Sequence, residues 1–259
     1  MINYSAVGIS IAAVIAYMNL MFILAILLKK NDIVDVAWGI GFILIAVLNL
    51  LISGFHFRSM LVGLLVIIWG LRLAVYIFMR NKGQKEDFRY AKWKQDWGKY
   101  WLIRSYLQVF LLQGFFMLTI AYPLFLYTGN PANPAGVLDI IGLFVWLVGF
   151  FWEAVGDYQM RRFKQNPANR GKVMNQGLWK YTRHPNYFGE STMWWGIFVI
   201  TLGYPYGWTA MFSPIIITAL LLKVSGIPLL EKKYSANPEY REYIKNTSSF
   251  IPRRPKQHG

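Results

Sequence analysis

Residues 181–190 read Tyr181, Thr182, Arg183, His184, Pro185, Asn186, Tyr187, Phe188, Gly189 and Glu190, and the apolar run STMWWGIFVITLG follows at once. Pro185 suits the first turn of a helix, where its missing N–H is harmless, so a helix is expected to open at His184 or Pro185. Free backbone N–H groups in such a turn can hold an anion. Asn186 and Glu190 are four residues apart and share a helix face, and Glu153 and Asp157 repeat that spacing in the preceding apolar run. Two polar stripes of this kind can line one cavity. Asp35, in NDIVDVAWGIGF, Arg72, in WGLRLAVY, and Lys223 are further charges inside apolar segments. Each costs roughly 2.5–3.5 kcal/mol in lipid, so such groups mark function by default. The plainer alternative pairs the Glu153 and Asp157 stripe with Arg161, gives Arg72 a carboxylate partner, and lets Lys223 snorkel. For the whole set, function is favoured.

The elements that must position these groups are membrane spans. Of 259 residues, 56% are hydrophobic and 17% aromatic, which points to a membrane protein. Crossing a ~30 Å hydrocarbon core takes about 20 apolar residues. Runs near 5–28, 33–53, 59–79, 105–127, 136–158, 187–203 and 207–230 meet or approach that length, so an all-α seven-transmembrane bundle in a single domain, 1–259, is expected. The run at 187–203 is short, and GYPYGW after it leaves a tight turn. Seven spans can therefore reduce to six plus a re-entrant element. The first run lacks a positive n-region and a small-residue cleavage site, so it is expected to be retained rather than removed as a signal peptide.

Of 27 Lys and Arg residues, 24 fall in four segments, at 29–32, 80–104, 161–183 and after 231, each following an odd-numbered run. The even connections hold Arg58. The positive-inside rule then predicts an outer N-terminus and a cytoplasmic C-terminus, with TGNPANPAG at 128–136 as an outer loop. The formal charge of +15 is thus better matched to a membrane surface or an anionic cofactor than to nucleic acid. A multi-pass protein of a bacterial inner membrane is the expected setting.

Several chemistries are excluded or unsupported. The chain has no cysteine, so disulfides, thiolate nucleophiles, iron–sulfur clusters and cysteine-ligated zinc are ruled out. His56, His184 and His258 show no ligand spacing, so no protein-bound catalytic metal is expected. Neither G-x-G-x-x-G after a strand nor G-x-x-x-x-G-K-[ST] occurs, and Ser191 lacks a G-x-S-x-G setting. A nucleotide site would have to be built from helices and loops. The basic loops RNKGQKEDFRYAKWKQDWGKYW and RRFKQNPANRGKVMNQGLWKYTRH mix Asn, Gly, Tyr and Trp with their cations. That mixture suits an ordered cofactor clamp better than a passive solvated loop.

Four segments, NQGLWKYTRHPNYFGE, VSGIPLLEKKYSANPEYREYIKNTSSFIP, VDVAWGIGF and GQKEDFRYAKW, resemble the bacterial steroid 5-alpha-reductase-like membrane family over nearly the whole chain. The first also resembles the R-H-P-x-Y-x-G pattern shared with sterol double-bond reductases and with isoprenylcysteine and phospholipid methyltransferases. That element alone is compatible with NADPH or S-adenosylmethionine. Asp35 with Trp38 and Gly39, the EDFRY loop, and LLEKKY without paired glutamates favour the reductase branch.

The resemblance implies NADPH-dependent reduction of the carbon–carbon double bond of a hydrophobic enone, such as a 3-oxo-delta-4-steroid or related lipid drawn from the bilayer. It implies Asp35 and Trp69 as the pair polarising the substrate ketone, with Trp38 beside the substrate. For the cofactor it implies Glu153, where the steroid enzymes have Asn, with Asp157 and Arg161. Asn186 would meet the nicotinamide amide, with Tyr181, His184, Tyr187 and Glu190 nearby, and Lys223, Tyr240 and Tyr243 complete the set. Arg72, Lys164 and Lys172 would hold the pyrophosphate and 2'-phosphate. Two alternatives stay open: an S-adenosylmethionine-dependent lipid or isoprenylcysteine-type methyltransferase, and a non-enzymatic transporter or scaffold whose buried charges form a path or network.

Overall fold

The computed structural model describes residues 4–128, 135–224 and 226–255, which are helical with no strand among them. Residues 129–134 of the expected outer loop lie outside the described part. The chain divides into two compact units, residues 1–135 with 203–210, and residues 136–202 with 211–259.

The first unit contains α1 (Tyr4–Leu28), α2 (Ile33–Ser53), α3 (Phe57–Asn81), α4 (Phe88–Trp97), α5 (Trp101–Arg104), α6 (Leu112–Ile120) and α7 (Tyr122–Thr128). A π-helical stretch, Ser105–Leu111, joins α5 to α6. Its core lies between α2 and α3, where Phe42, Ile45, Val66 and Trp69 are buried. Gly39 and Gly70 set that contact, because a Cβ on Gly39 would stand 2.5 Å from the Gly70 carbonyl oxygen. Polar pairs add specificity inside the apolar bundle: Asn49 donates to Ser10 Oγ at 3.2 Å, and Tyr106 donates to Asn19 Oδ1 at 3.0 Å. Arg58, the cation of the even connections, is 4% exposed. It donates to the Gly203 carbonyl at 3.0 Å and lies over the Tyr204 ring, 5.1 Å from its centre. Its role is to anchor the 203–210 turn.

The second unit contains α8 (Val137–Gln165), α9 (Pro185–Thr201), α10 (Phe212–Ala219), α11 (Ile227–Tyr234) and α12 (Pro238–Asn246), with a π-helical stretch at Leu220–Val224. The pairing of α8 with α9 organises this unit. Gly142, Gly149 and Gly156 recur every seven residues on α8, and α9 answers with Gly196, Gly189 and Pro185. A Cβ on Gly149 would stand 2.6 Å from the Gly189 carbonyl oxygen, and one on Gly189 would stand 2.4 Å from the Glu153 nitrogen. Backbones pack on backbones here, as small residues permit in membrane helices.

Among the described residues six stretches are long and apolar enough to cross a membrane: Tyr4–Leu28, Ile33–Ile52, Phe57–Asn81, Phe88–Ile120, Val137–Gln165 and Gly207–Lys232. Large apolar side chains point outward on them, including Leu27, Leu64, Leu71, Phe144 and Phe151, which fits lipid contact and a multi-pass membrane protein. The remaining sequence-predicted span, 187–203, corresponds to α9, which has 17 residues. At 1.5 Å per residue α9 reaches about 25 Å, short of a full hydrocarbon core.

Candidate functional site

The first unit gathers ionisable groups where the 82–90 loop meets the start of α2. Asp35 lies on the first turn of α2, and Trp38 and Phe42 follow on the same face. Tyr90 donates its phenol O–H to Asp35 Oδ1 at 2.5 Å, and Arg89 donates to Asp35 Oδ2 at 2.7 Å. Arg89 also donates to Asp87 Oδ1 at 3.0 Å, so one guanidinium ties two carboxylates. Asp87 caps α4 by accepting the Arg89 backbone N–H at 2.9 Å, and its own N–H donates to Asp32 Oδ2 at 3.1 Å. Glu86 takes the Asn31 N–H at 2.6 Å and the Lys94 ammonium at 2.7 Å. This lattice fixes the loop to the α1–α2 linker from both sides.

Electrostatics follow from those partners. Burial works against the charged form of Asp87, but the Arg89 hydrogen bond and charge prevail and hold its carboxyl below the usual range. Asp32 goes the other way: burial raises it more than the Asp87 N–H and Lys30 lower it. Tyr90 is 3% exposed and meets Trp93 edge-on at 5.3 Å, so its ring is held in place.

Trp69, expected beside Asp35, is 1% exposed and packs edge-to-face on Phe42 at 5.1 Å, and Trp38 also meets Phe42 edge-on at 5.2 Å. Arg72 is half-buried on α3, its guanidinium 5.7 Å from the Tyr76 ring centre. Sequence reasoning singled out EDFRY as a block but gave its side chains no task. The alternation of acid, base and tyrosine within KEDFRYAKWK was the signal available.

The second unit builds its cluster on the turn into α9. Arg183 is its hub: the guanidinium donates to Glu231 Oε1 at 2.9 and 2.6 Å, to the Ile244 carbonyl at 3.2 Å, and to the Thr247 carbonyl. The Arg183 N–H donates to the Ser248 carbonyl at 2.8 Å, and Arg253 N–H to the Tyr181 carbonyl at 2.9 Å. Tyr243 donates to the Trp179 carbonyl, and the Trp179 indole N–H donates to the Gly156 carbonyl at 3.0 Å. The C-terminal segment thereby locks the 177–184 loop onto α8.

Within that frame His184 is 3% exposed, stacks on Tyr187 at 5.5 Å, and brings Nε2 to 3.5 Å from Glu231 Oε1. Burial holds its pKa below the ordinary histidine value, although the Glu231 carboxylate pulls the other way. Tyr240, 7% exposed, is pushed up to about 12, chiefly by burial. Tyr243 is raised by burial as well. Asn186 keeps a buried Oδ1 with no hydrogen-bond partner among the described residues. Glu153, Asp157 and Glu190 are 2%, 4% and 8% exposed, three carboxyl groups withdrawn around the α8–α9 crossing.

The other expected cofactor contacts are more open. Arg161, Lys164 and Lys172 are exposed beyond the buried part of α8, Tyr181 is 40% exposed, and Lys223 is exposed in the π-helical turn. The structure thus collects Glu153, Asp157, His184, Asn186, Tyr187, Glu190, Tyr240 and Tyr243 in one unit, and Asp35, Trp38, Trp69 and Arg72 in the other. Arg183 and Glu231 had no assigned role in the sequence reading. No group of acids and histidines among the described residues has the geometry to hold a metal ion.

Comparison with known proteins gives relatives of limited description. An uncharacterized protein of Schizosaccharomyces pombe is 26% identical over 231 residues, covering 78% of this chain and 65% of its own length. A probable O-methyltransferase, ustE of Ustilaginoidea virens, is 36% identical over 72 residues, covering 27% of this chain and 25% of its own length. The chain therefore spans less than two thirds of either relative. No solved structure matches it significantly. A family model described as protein of unknown function, DUF1295, matches residues 21–247, and the chain belongs to that family.

Proposed function

We propose that the protein is an integral-membrane reductase that uses NADPH to saturate the double bond of a hydrophobic enone. The observation that carries this reading is the Tyr90–Asp35–Arg89 cluster, with its phenol 2.5 Å from a carboxylate that a guanidinium holds at 2.7 Å. A phenol donor held at Asp35, one helical turn before Trp38 on α2, is suited to a ketone oxygen on which negative charge develops. The relation of the DUF1295 family to steroid 5-alpha-reductase-like membrane proteins supports the same class.

The residues divide the work as follows. Tyr90 donates its O–H to the substrate oxygen, turning from its resting acceptor, Asp35. Arg89 keeps Asp35 paired as that proton is redirected. Trp69 can offer an indole N–H but not a phenol, so Tyr90 takes the donor role that the sequence resemblance gave to Trp69. NADPH, when bound, would supply the hydride for the β-carbon and leave as NADP+, while the enolate would take a proton from water at the α-carbon to give the saturated ketone. Asn186 fits its carboxamide, because a buried Oδ1 lacking a partner among the described residues accepts an amide N–H. Arg161, Lys164 and Lys172 are exposed cations suited to its phosphates. In this reading α9 completes a seven-span bundle, with the basic segments on the cytoplasmic side where NADPH is available.

A second reading has its own support. It is an S-adenosylmethionine-dependent lipid or isoprenylcysteine-type methyltransferase, whose sulfonium would sit near Glu153, Asp157 and Glu190 at the α8–α9 crossing. The partial likeness to a probable O-methyltransferase points the same way. Calorimetry on the purified protein with NADPH and with S-adenosylmethionine separates the two. The reductase reading expects NADPH to bind, Asn186→Ala to weaken it at least tenfold, and an enone to be consumed in step with NADPH. Binding of S-adenosylmethionine alone overturns it.

A further inference from the structure

The exposed surface of the 82–104 segment, which carries α4, is basic. Lys85 in the loop before α4, Lys92 on α4 and Lys99 in the turn after Gly98 are exposed. Lys82 and Arg104 are exposed on the same segment. Its acids do not neutralise these cations: Glu86 is bound to Lys94, Asp87 is bound to Arg89, and Asp96 alone among the described acids of the segment is exposed. Next to the cations come Tyr100, 56% exposed with Lys99 Nζ 5.1 Å from its ring centre, and then Leu102 and Ile103, also exposed, at the start of an apolar run. The order of cation, aromatic ring and aliphatic chain is that of a lipid–water boundary.

We propose that α4 is an interfacial helix, that Lys85, Lys92 and Lys99 on and beside it bind the headgroups of anionic phospholipids in the adjoining leaflet, and that this attachment holds Tyr90 and Arg89 against Asp35. The occupant is a lipid because these cations run on into lipid-facing side chains, and it is anionic because five cations face one acid. The coupling is mechanical. The helix carries Tyr90 to Asp35 and Lys94 to Glu86, while the exposed lysines meet the headgroups, so lifting the helix from the surface pulls on both bonds. The coupling to catalysis rests on the proposed reductase function; the lipid selectivity does not.

The test uses the full-length protein in nanodiscs of phosphatidylcholine, with and without phosphatidylglycerol, beside a Lys85→Gln, Lys92→Gln, Lys99→Gln variant. These lysines lie outside the proposed catalytic and cofactor machinery, and an unchanged thermal unfolding midpoint in neutral detergent certifies the variant's fold. Each basic residue near an anionic surface is worth roughly a fivefold preference. Native mass spectrometry is therefore expected to find phosphatidylglycerol retained over phosphatidylcholine by the wild type, and that preference reduced roughly a hundredfold in the variant. Amide exchange across residues 88–97 is expected to slow in phosphatidylglycerol for the wild type and to stay unchanged for the variant. Equal retention of both lipids by the wild type, or equal phosphatidylglycerol retention by wild type and variant, overturns the proposal. Lipid preference with no nucleotide binding overturns the reductase reading and leaves the lipid site standing.

Discussion

Tyr90 has one acidic proton, and Asp35 holds it in the resting structure at 2.5 Å. Tyr90→Phe removes the donor while leaving the Arg89 pair with Asp35, so enone reduction is expected to fall about 10²–10³-fold with NADPH affinity unchanged. Steady-state rates and calorimetry on the same preparation check both halves. Arg183 behaves differently, because its guanidinium already serves Glu231 and two backbone carbonyls. Arg183→Ala strands those acceptors, and a loss of about 3 kcal/mol is expected in unfolding experiments. His184 makes stability depend on pH. Its folded pKa is depressed by burial, so the unfolded chain binds the proton first as the pH drops below about 6.5. Stability is expected to fall through that window, and His184→Gln to flatten this part of the curve. Asp35 was visible in the sequence as a charge inside an apolar run. Its partners were not, because Arg89 and Tyr90 lie 54 and 55 residues downstream on α4, which local spacing cannot dock.

Helix positions were legible where twenty apolar residues run together, and less so where backbone approach decides the matter. The Pro185 start of α9 followed from the proline itself. The α8–α9 contact did not, although Gly142, Gly149 and Gly156 carried its period in plain sight. Gly189→Ala places a methyl 2.4 Å from the Glu153 nitrogen, where backbone must yield rather than a side chain rotate. Thermal unfolding is expected to show a loss of about 1–3 kcal/mol, the usual scale of overpacking. Since Asn186 and Glu190 ride on the same helix, weakened nucleotide binding should accompany it. Gly8→Ala, which meets nothing within 4 Å, is the matched control.

At the scale of the whole chain, composition and charge pattern led to a helical membrane protein, and they left the number of crossings resting on α9. The absence of cysteine makes orientation directly measurable, because any introduced cysteine is the sole thiol. The distribution of Lys and Arg predicts that Lys92→Cys and Lys172→Cys react with an impermeant maleimide from the cytoplasmic side and Phe55→Cys from the opposite side. The same face for Phe55 and Lys92 would break the expected topology. The division into two units was hidden from the sequence, since residues 203–210 join the first unit from the middle of the second and Arg58 anchors them there.

The tethering of Arg183 to the C-terminal segment bears on how function is transferred between relatives. A side chain whose donors are taken up by Glu231, Ile244 and Thr247 reports a way of closing a fold and says little about the ligand inside. In this chain the R-H-P element is thus part of the scaffold that seats the C-terminal segment. On the proposed reading, the positions that would separate one cofactor from another are Asn186 and the withdrawn acids around it.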